Sequence, residues 1–252
     1  MRFASLGSGS RGNALVVEAG CTRVLVDCGF GPRNLSARLA RVGLAPDDLD
    51  AILVTHEHSD HVCGVATVAR RYELDVFLSH GTLGAIGLDG LSRHVIDSHT
   101  AFTIGDLEIH PFPVPHDARE PTQFVFSDGG RRLGVLTDAG WVTPYMVEIL
   151  SLCDALVLEC NHDAAMLAEG HYPAHLKRRI AGRFGHLDNA AAADLLGRVD
   201  HGRLRHVVAA HLSQENNSPT LAKAALAEVL GCEPDWVGVA DQEGGCGWRD
   251  LA

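Results

Sequence analysis

Residues 52–64 read ILVTHEHSDHVCG, a short apolar run followed at once by three histidines and two acids within six positions. A β-branched run of this length reads as a buried strand. A loop leaving such a strand can aim several side chains at one point while the sheet holds it still. The residues so placed are His56, His58, Asp60 and His61. Taken singly, Asp60 would be a helix cap and each histidine a surface residue. The whole pattern H-x-H-x-D-H behind a buried strand instead collects imidazoles and carboxylates, which are metal-binding side chains.

Outward from this stretch, strand-like runs RFASL, NALVVEA and RVLVDCG precede a helical PRNLSARLARVG, and a second helix is expected over Val62 to Tyr72. Further strands are expected at DVFLS, LEIHPFPV, QFVFS and RLGVLTD. Helices TPYMVEILS, PAHLKRRIAG, NAAAADLLGRV and TLAKAALAEVL then alternate with strands DALVLEC, HVVAAH and a closing DWVGVA. Hairpins followed by strand and helix alternation in both halves predict two sheets face to face with helices outside, an αββα sandwich of the α/β (α+β) class. No low-complexity segment, linker or fixed-period repeat divides the chain, so residues 1–252 are expected to form one domain.

The 252 residues are 46% hydrophobic, enough for a substantial core, and no apolar run approaches the roughly 18 residues of a membrane span. The N-terminal MRFASLGSGSRGN lacks the apolar segment of a secretory signal, so a cytoplasmic location is expected. The seven cysteines are odd in number, scattered and never spaced C-x-x-C, which argues for reduced, mostly buried thiols. The formal charge of -11 opposes broad nucleic-acid affinity, although carboxylates that ligate metals contribute to it and a local basic patch can override it.

The THEHSDH stretch resembles the signature of the metallo-β-lactamase superfamily, and the resemblance runs on in order through most of the chain. Asp27 in LVDCG resembles the family's buried carboxylate beneath the metal loop. His116 in VPHDA resembles its third histidine, Asp138 in LTDAG the carboxylate bridging two metals, and His211 in VVAAHLS the last ligand. The resemblance thus implies one metal on His56, His58 and His116, a second on Asp60, His61 and His211, and Asp138 shared. Imidazole and carboxylate without thiolate suit Zn²⁺, with Mn²⁺ or Fe as alternatives. Two such cations, about 3.5–4 Å apart, make a hydrolytic centre.

The superfamily hosts several chemistries, so the fold alone names no reaction. A flavodiiron oxidoreductase would have glutamate in place of His58, and many β-lactamases of this fold have cysteine in place of Asp138. Glyoxalase-II-type thioesterases usually show a Gly-Gly pair and a GHT-like turn where this chain has VCGV and VPHDA. The segment FGHLDNAAAADLL, with His186, resembles the turn and Ala-rich helix of tRNase-Z-like enzymes. Glu159 in LECNHD stands where those enzymes carry an acid that pairs with that histidine. The resemblance makes Asp60, His186 and Glu159 the catalytic candidates, with His186 donating a proton to a leaving alkoxide.

The segment HYPAHLKRRIAGRFGH carries Lys177, Arg178, Arg179 and Arg183 without an acid, with Leu176 and Ile180 expected to pack inward. Such a run is ordinarily a solvated face. Its position before His186 points to a phosphate-guiding stripe. The loop GSGSRGN offers backbone N–H groups and Arg11 to a phosphate, or is simply a hairpin turn. These motifs, with AHLSQENNSP, together resemble the WalJ (YycJ) branch of bacterial single-domain proteins regarded as DNA exonucleases. The expectation is a dinuclear-metal phosphodiesterase acting on nucleic acid, DNA favoured, as a monomer or homodimer. The alternatives are a glyoxalase-II-like thioester hydrolase, a cyclic or small-molecule phosphodiesterase, and a binding protein with structural metals.

Overall fold

A computed structural model describes residues 1–252. In the first half of the chain, β1 (Arg2–Gly7), β2 (Ala14–Ala19), β3 (Thr22–Val26), β4 (Ala51–Leu53), β5 (Asp75–Ser79) and β6 (Arg93–Ile96) lie side by side in that order. A second sheet follows as β7 (Phe102–Ile104), β8 (Leu107–Pro113), β9 (Thr122–Ser127), β10 (Arg132–Leu136), β11 (Ala155–Glu159), β12 (His206–Ala210) and β13 (Gly238–Val239), again in sequence order. The last strand, β14 (Cys246–Asp250), crosses back and pairs antiparallel with β1, so each sheet has seven strands. Each sheet begins as antiparallel hairpins and continues parallel, from β3 to β6 and from β10 to β13.

Side chains alternate across these strands, and both faces are buried. Phe3, Leu15, Val17, Phe124, Leu133 and Val157 meet between the sheets in one apolar cluster. Leu6, Val16, Leu25 and Ile52 point outward beneath α1 (Pro32–Arg41), α2 (Ser59–Val62), α3 (Val65–Tyr72) and α4 (His80–Leu83). On the second sheet Leu136, Leu156, Leu158 and Val207 point outward. They lie beneath α5 (Pro144–Leu150), α8 (Asn189–Arg198) and α9 (Pro219–Leu230), while α6 (Ala164–Glu169) and α7 (Ala174–Ile180) contribute nothing to that cluster. The order is therefore helix, sheet, sheet, helix, which is the αββα sandwich the sequence predicts. Burial on both faces explains the near-continuous apolar runs of its parallel strands. No helix is long and apolar enough to cross a membrane.

Three boundaries differ from expectation. The helix predicted over Val62 to Tyr72 is two helices, broken at Cys63 and Gly64. The Gly64 N–H donates to the Cys28 carbonyl at 2.8 Å and the Asp60 carbonyl accepts from the Asn13 N–H at 2.8 Å, so the bond that would continue the helix is spent on neighbouring loops; a Cβ at Gly64 would come within 2.0 Å of the Phe30 carbonyl oxygen. The first short helix starts at Ser59, before the expected Val62, and carries Asp60 and His61 on its single turn. The closing DWVGVA is a 3₁₀ turn over Pro234–Trp236 followed by only two strand residues. The true final strand, CGWRD, lacks apolar alternation and is fixed by its partner, with Phe3 opposite Arg249 and Ser5 opposite Cys246. The edge strands β6 and β7 are four and three residues long, too short to show a period.

Candidate metal centre

Functional side chains gather where parallel strands end, at the carboxyl edge of both sheets, the usual ligand side of such sheets. Asp27 follows β3, His56 lies just beyond β4, Asp138 beyond β10, and His211 directly follows β12, while Glu159 ends β11. Three of these carry left-handed backbone: φ is 59° at Asp27, 53° at Asp138 and 55° at His211. Each such non-glycine residue costs on the order of 1–3 kcal/mol, and persists only where its surroundings fix it. The turn takes the side chain out of the strand's alternation and over the sheet edge.

His56, His58 and His116 bring ring nitrogens within 4.8 Å of one another, and Asp60, His61 and His211 do the same with their ligand atoms. Asp138 stands between the two groups. Its Oδ2 is 3.3 Å from His61 Nε2 and 3.4 Å from His211 Nδ1, while its Oδ1 is 4.0 Å from His116 Nε2. His58 Nδ1 and His116 Nε2 approach to 3.3 Å. The buried atoms His56 Nε2, Asp138 Oδ2 and His211 Nδ1 have no hydrogen-bond partner. Buried polar atoms are nearly always satisfied, so three orphans converging in one place fit divalent cation binding.

The electrostatics agree. Burial lowers the pKa of His56 and of His116, which favours the neutral imidazole that a metal requires. For Asp138 burial acts the other way, but His211, His61 and His56 outweigh it and hold the carboxylate well below its usual range. Burial also opposes charge on His61, yet Asp138 and Asp27 raise it well above the ordinary value, so this corner of the site favours a positive charge. Burial pushes the nearby Cys28 thiol up to about 12, and its sulfur lies 3.4 Å from the Phe30 carbonyl within the apolar cluster.

Asp27 lies below the centre, as its resemblance implies. Its carboxylate accepts from the Thr55 N–H at 2.8 Å and the Thr55 hydroxyl at 2.9 Å, and lies 2.7 Å from His61 Nδ1. That contact fixes the ring so that Nε2 faces Asp60 and Asp138. His116 is oriented likewise by the Gly185 carbonyl, 2.9 Å from Nδ1. Several supporting residues escape the sequence reading. Thr55 serves both Asp27 and His56 Nδ1, and Asn13 Nδ2 donates to Asp60 Oδ2 at 3.1 Å. Asn13 sits in GSGSRGN, a loop legible as a turn, but no local pattern shows that its amide reaches a loop 47 residues away.

Glu159 and His186 meet as the resemblance implies, with His186 Nδ1 2.7 Å from Glu159 Oε1. The acid is fully buried, and its other oxygen accepts from the N–H groups of Ala139 at 2.8 Å and Leu187 at 3.3 Å. Burial disfavours the imidazolium, but the Glu159 carboxylate and Asp138 outweigh it and raise His186 to about 9. With Nδ1 engaged, Nε2 is the ring nitrogen left for a pocket of about 180 Å³ that His186 lines with His58, Asp60, Asp138 and His211. His186 also stands within ligand reach of His116 and Asp138.

The basic segment departs from expectation. Leu176 and Ile180 do not pack inward; α7 buries none of its residues, and these two line the metal pocket with Arg179. The helix has no apolar face beneath it, so its nonpolar side chains turn to the pocket wall instead. Arg179 Nε donates to Asp117 Oδ2 at 2.6 Å, and Lys177 Nζ donates to the Ala168 carbonyl at 2.6 Å. Arg183 reaches no acid and lies over the Trp141 ring, 4.8 Å from its centroid. Arg11 points away from the pocket and pairs with Glu243 at 2.6 Å. Of Arg11, Lys177, Arg178, Arg179 and Arg183, only Arg179 lines the pocket, and it is already paired.

Comparison with known proteins gives a coherent set of likenesses. The model of the β-lactamase superfamily domain matches residues 22–211. The exodeoxyribonuclease WalJ of Streptococcus pneumoniae is 35% identical over 245 residues, covering 94% of this chain and 91% of its own length. The exodeoxyribonuclease YycJ of Bacillus anthracis is 37% identical over 237 residues, 91% of this chain and 89% of its own. Among solved structures, the metallo-β-lactamase fold protein YhfI of Bacillus subtilis superposes with a TM-score of 0.76 over 99% of both chains at 15% identity, a likeness of fold alone.

Proposed function

This chain belongs to the β-lactamase superfamily and, within it, to the group of the WalJ and YycJ exodeoxyribonucleases, and from that premise we propose that it is a dinuclear-metal phosphodiesterase that degrades DNA from an end. The observation that carries the reading is the buried Glu159 carboxylate 2.7 Å from His186 Nδ1, beside a cluster of unpartnered ligand atoms. Phosphodiester cleavage expels an alkoxide, a poor leaving group that benefits from a placed proton donor. A thioester expels a thiolate, which needs none.

His56, His58 and His116 would hold one cation and Asp60, His61 and His211 a second, with one Asp138 oxygen turned to each. The donor set suits Zn²⁺, or Mn²⁺ or Fe. Bound there, two such ions would supply hydroxide near neutral pH and offset charge on the phosphate oxygens. Asp27 would keep His61 in the ligating tautomer through Nδ1. Asn13 holds Asp60 in place through its amide. Glu159, anchored by two backbone N–H groups, fixes the His186 ring and favours its protonated form. His186 then delivers its Nε2 proton to the departing oxygen. Leu176 and Ile180 line the same pocket, as do the paired Arg179 and Asp117.

The test is one comparison on purified, metal-loaded protein: end-labelled single- and double-stranded DNA, RNA, a cyclic dinucleotide and a thioester. Stepwise loss of nucleotides from a DNA end is the expected outcome. Turnover of the thioester alone, or of the cyclic dinucleotide alone, would refute the proposal.

A further inference from the structure

Two large aromatic side chains stand exposed at the rim of the metal pocket: Phe184 is 61% exposed and Trp141 37%. Each lies a few residues from a site residue, Trp141 after Asp138 and Phe184 before His186. The backbones beneath them are interlocked. The Gly140 N–H donates to the Pro115 carbonyl at 2.7 Å, and the Asp117 N–H donates to the Phe184 carbonyl at 3.0 Å. A Cβ at Gly140 would stand 2.4 Å from the Arg183 carbonyl, so nothing separates the two loops. The two loops thus share a fixed base, and both rings reach solvent from it.

We propose that Trp141 and Phe184 form a stacking platform for unpaired nucleobases of a single-stranded DNA end, with Arg183 meeting the adjoining phosphate; this rests on the nuclease reading above. Three features select this occupant. The platform is continuous with the pocket, because Gly185 and His186 line the pocket and directly follow Phe184. Its base is also tied to the pocket wall, because Asp117, whose N–H donates to the Phe184 carbonyl, lines the pocket with His186. It also carries a guanidinium without an acid partner, 4.8 Å from the Trp141 ring centroid, in a chain of net charge -11. Bases stack on aromatic faces regardless of sequence, while the phosphate beside them seeks a cation. Bases inside a duplex are already stacked on each other and are not offered to such a surface.

The metal-loaded protein should be titrated with a short phosphorothioate DNA strand, an abasic strand of equal length and a blunt duplex, following anisotropy and tryptophan fluorescence. The base-bearing strand is expected to bind more tightly than the abasic one by roughly 5- to 150-fold per stacked base, and to quench Trp141. The double variant Trp141→Ala, Phe184→Ala should bring the base-bearing strand to the affinity of the abasic one, and Trp141→Phe should keep most of the preference. A double variant that retains the preference, or a wild type that binds blunt duplex as tightly as single strand, overturns the platform. Degradation of DNA with no preference for the base-bearing over the abasic strand would also overturn it, leave the nuclease reading intact and return the patch to a protein partner. Failure of the wild type to bind or degrade any nucleic acid would refute both.

Discussion

His186→Ala should separate the acid role from mere scaffolding. The structural cost comes first: the change removes the donor at Glu159 Oε1, leaving one oxygen of a fully buried carboxylate unpartnered. Such a loss costs on the order of 1–3 kcal/mol, which for a chain of this size is roughly 2–12 °C in Tm. The Ala139 and Leu187 N–H groups still hold Oε2, so the strand end should stay in place and both metals should remain bound. Assays well below the transition then isolate the chemical step. Without a donor at Nε2, kcat on an ordinary dinucleotide phosphodiester should fall about 10²–10⁴-fold, or roughly 2.7–5.5 kcal/mol of barrier. A nitrophenyl ester of the same nucleotide, whose phenolate departs with little protonation, should lose far less. Equal losses on both substrates, with metal content unchanged, would refute the acid role and leave His186 as a positioning residue.

Asp138→Ala should abolish turnover and weaken binding at both metal positions, because one carboxylate faces both ligand groups; metal analysis that still finds about two ions per chain with near wild-type rates would contradict the bridge. Exhaustive chelation of the wild type should abolish activity and lower Tm together, since the ligands join distant strand ends, and full activity in chelator would reject the metal reading. Asp27→Ala leaves His61 Nδ1 and the Thr55 N–H without their carboxylate; a metal affinity about 10–100-fold weaker is expected, checked by competition with a chromogenic chelator, and unchanged affinity would remove Asp27 from the site's support. Arg183→Ala should reduce the log-log salt slope of DNA binding by roughly 0.7–0.9, whereas Arg179→Ala, already paired with Asp117, should change it little; the reverse ranking would show that the ion pair opens for substrate.

Much of this protein is written locally. The run ILVT followed by H-x-H-x-D-H declares a buried strand and a ligand loop in thirteen residues, because both periodicity and ligand chemistry act over that range. The later candidate ligands His116, Asp138 and His211 are legible only as a series, each near a strand end and in the order that the family resemblance implies. Their spacing by itself carries no geometry. The sandwich also followed from the pattern of runs, since a sheet buried on both faces leaves apolar stretches that need no partner to be recognised.

What tertiary structure alone decided is everything that depends on which segment meets which. The strand CGWRD has no period of its own and exists because β1 offers an open edge. The helix breaks at Gly64 because its N–H is taken by the Cys28 carbonyl. Asn13 and Thr55 support the metal loop through contacts that sequence distance hides. The arginines are legible as charges, but their use depends on neighbours: Arg179 found Asp117, Arg11 found Glu243, and Arg183, without an acid, lies over an aromatic ring. Residue type fixes what a side chain can do, and the fold fixes what it can reach.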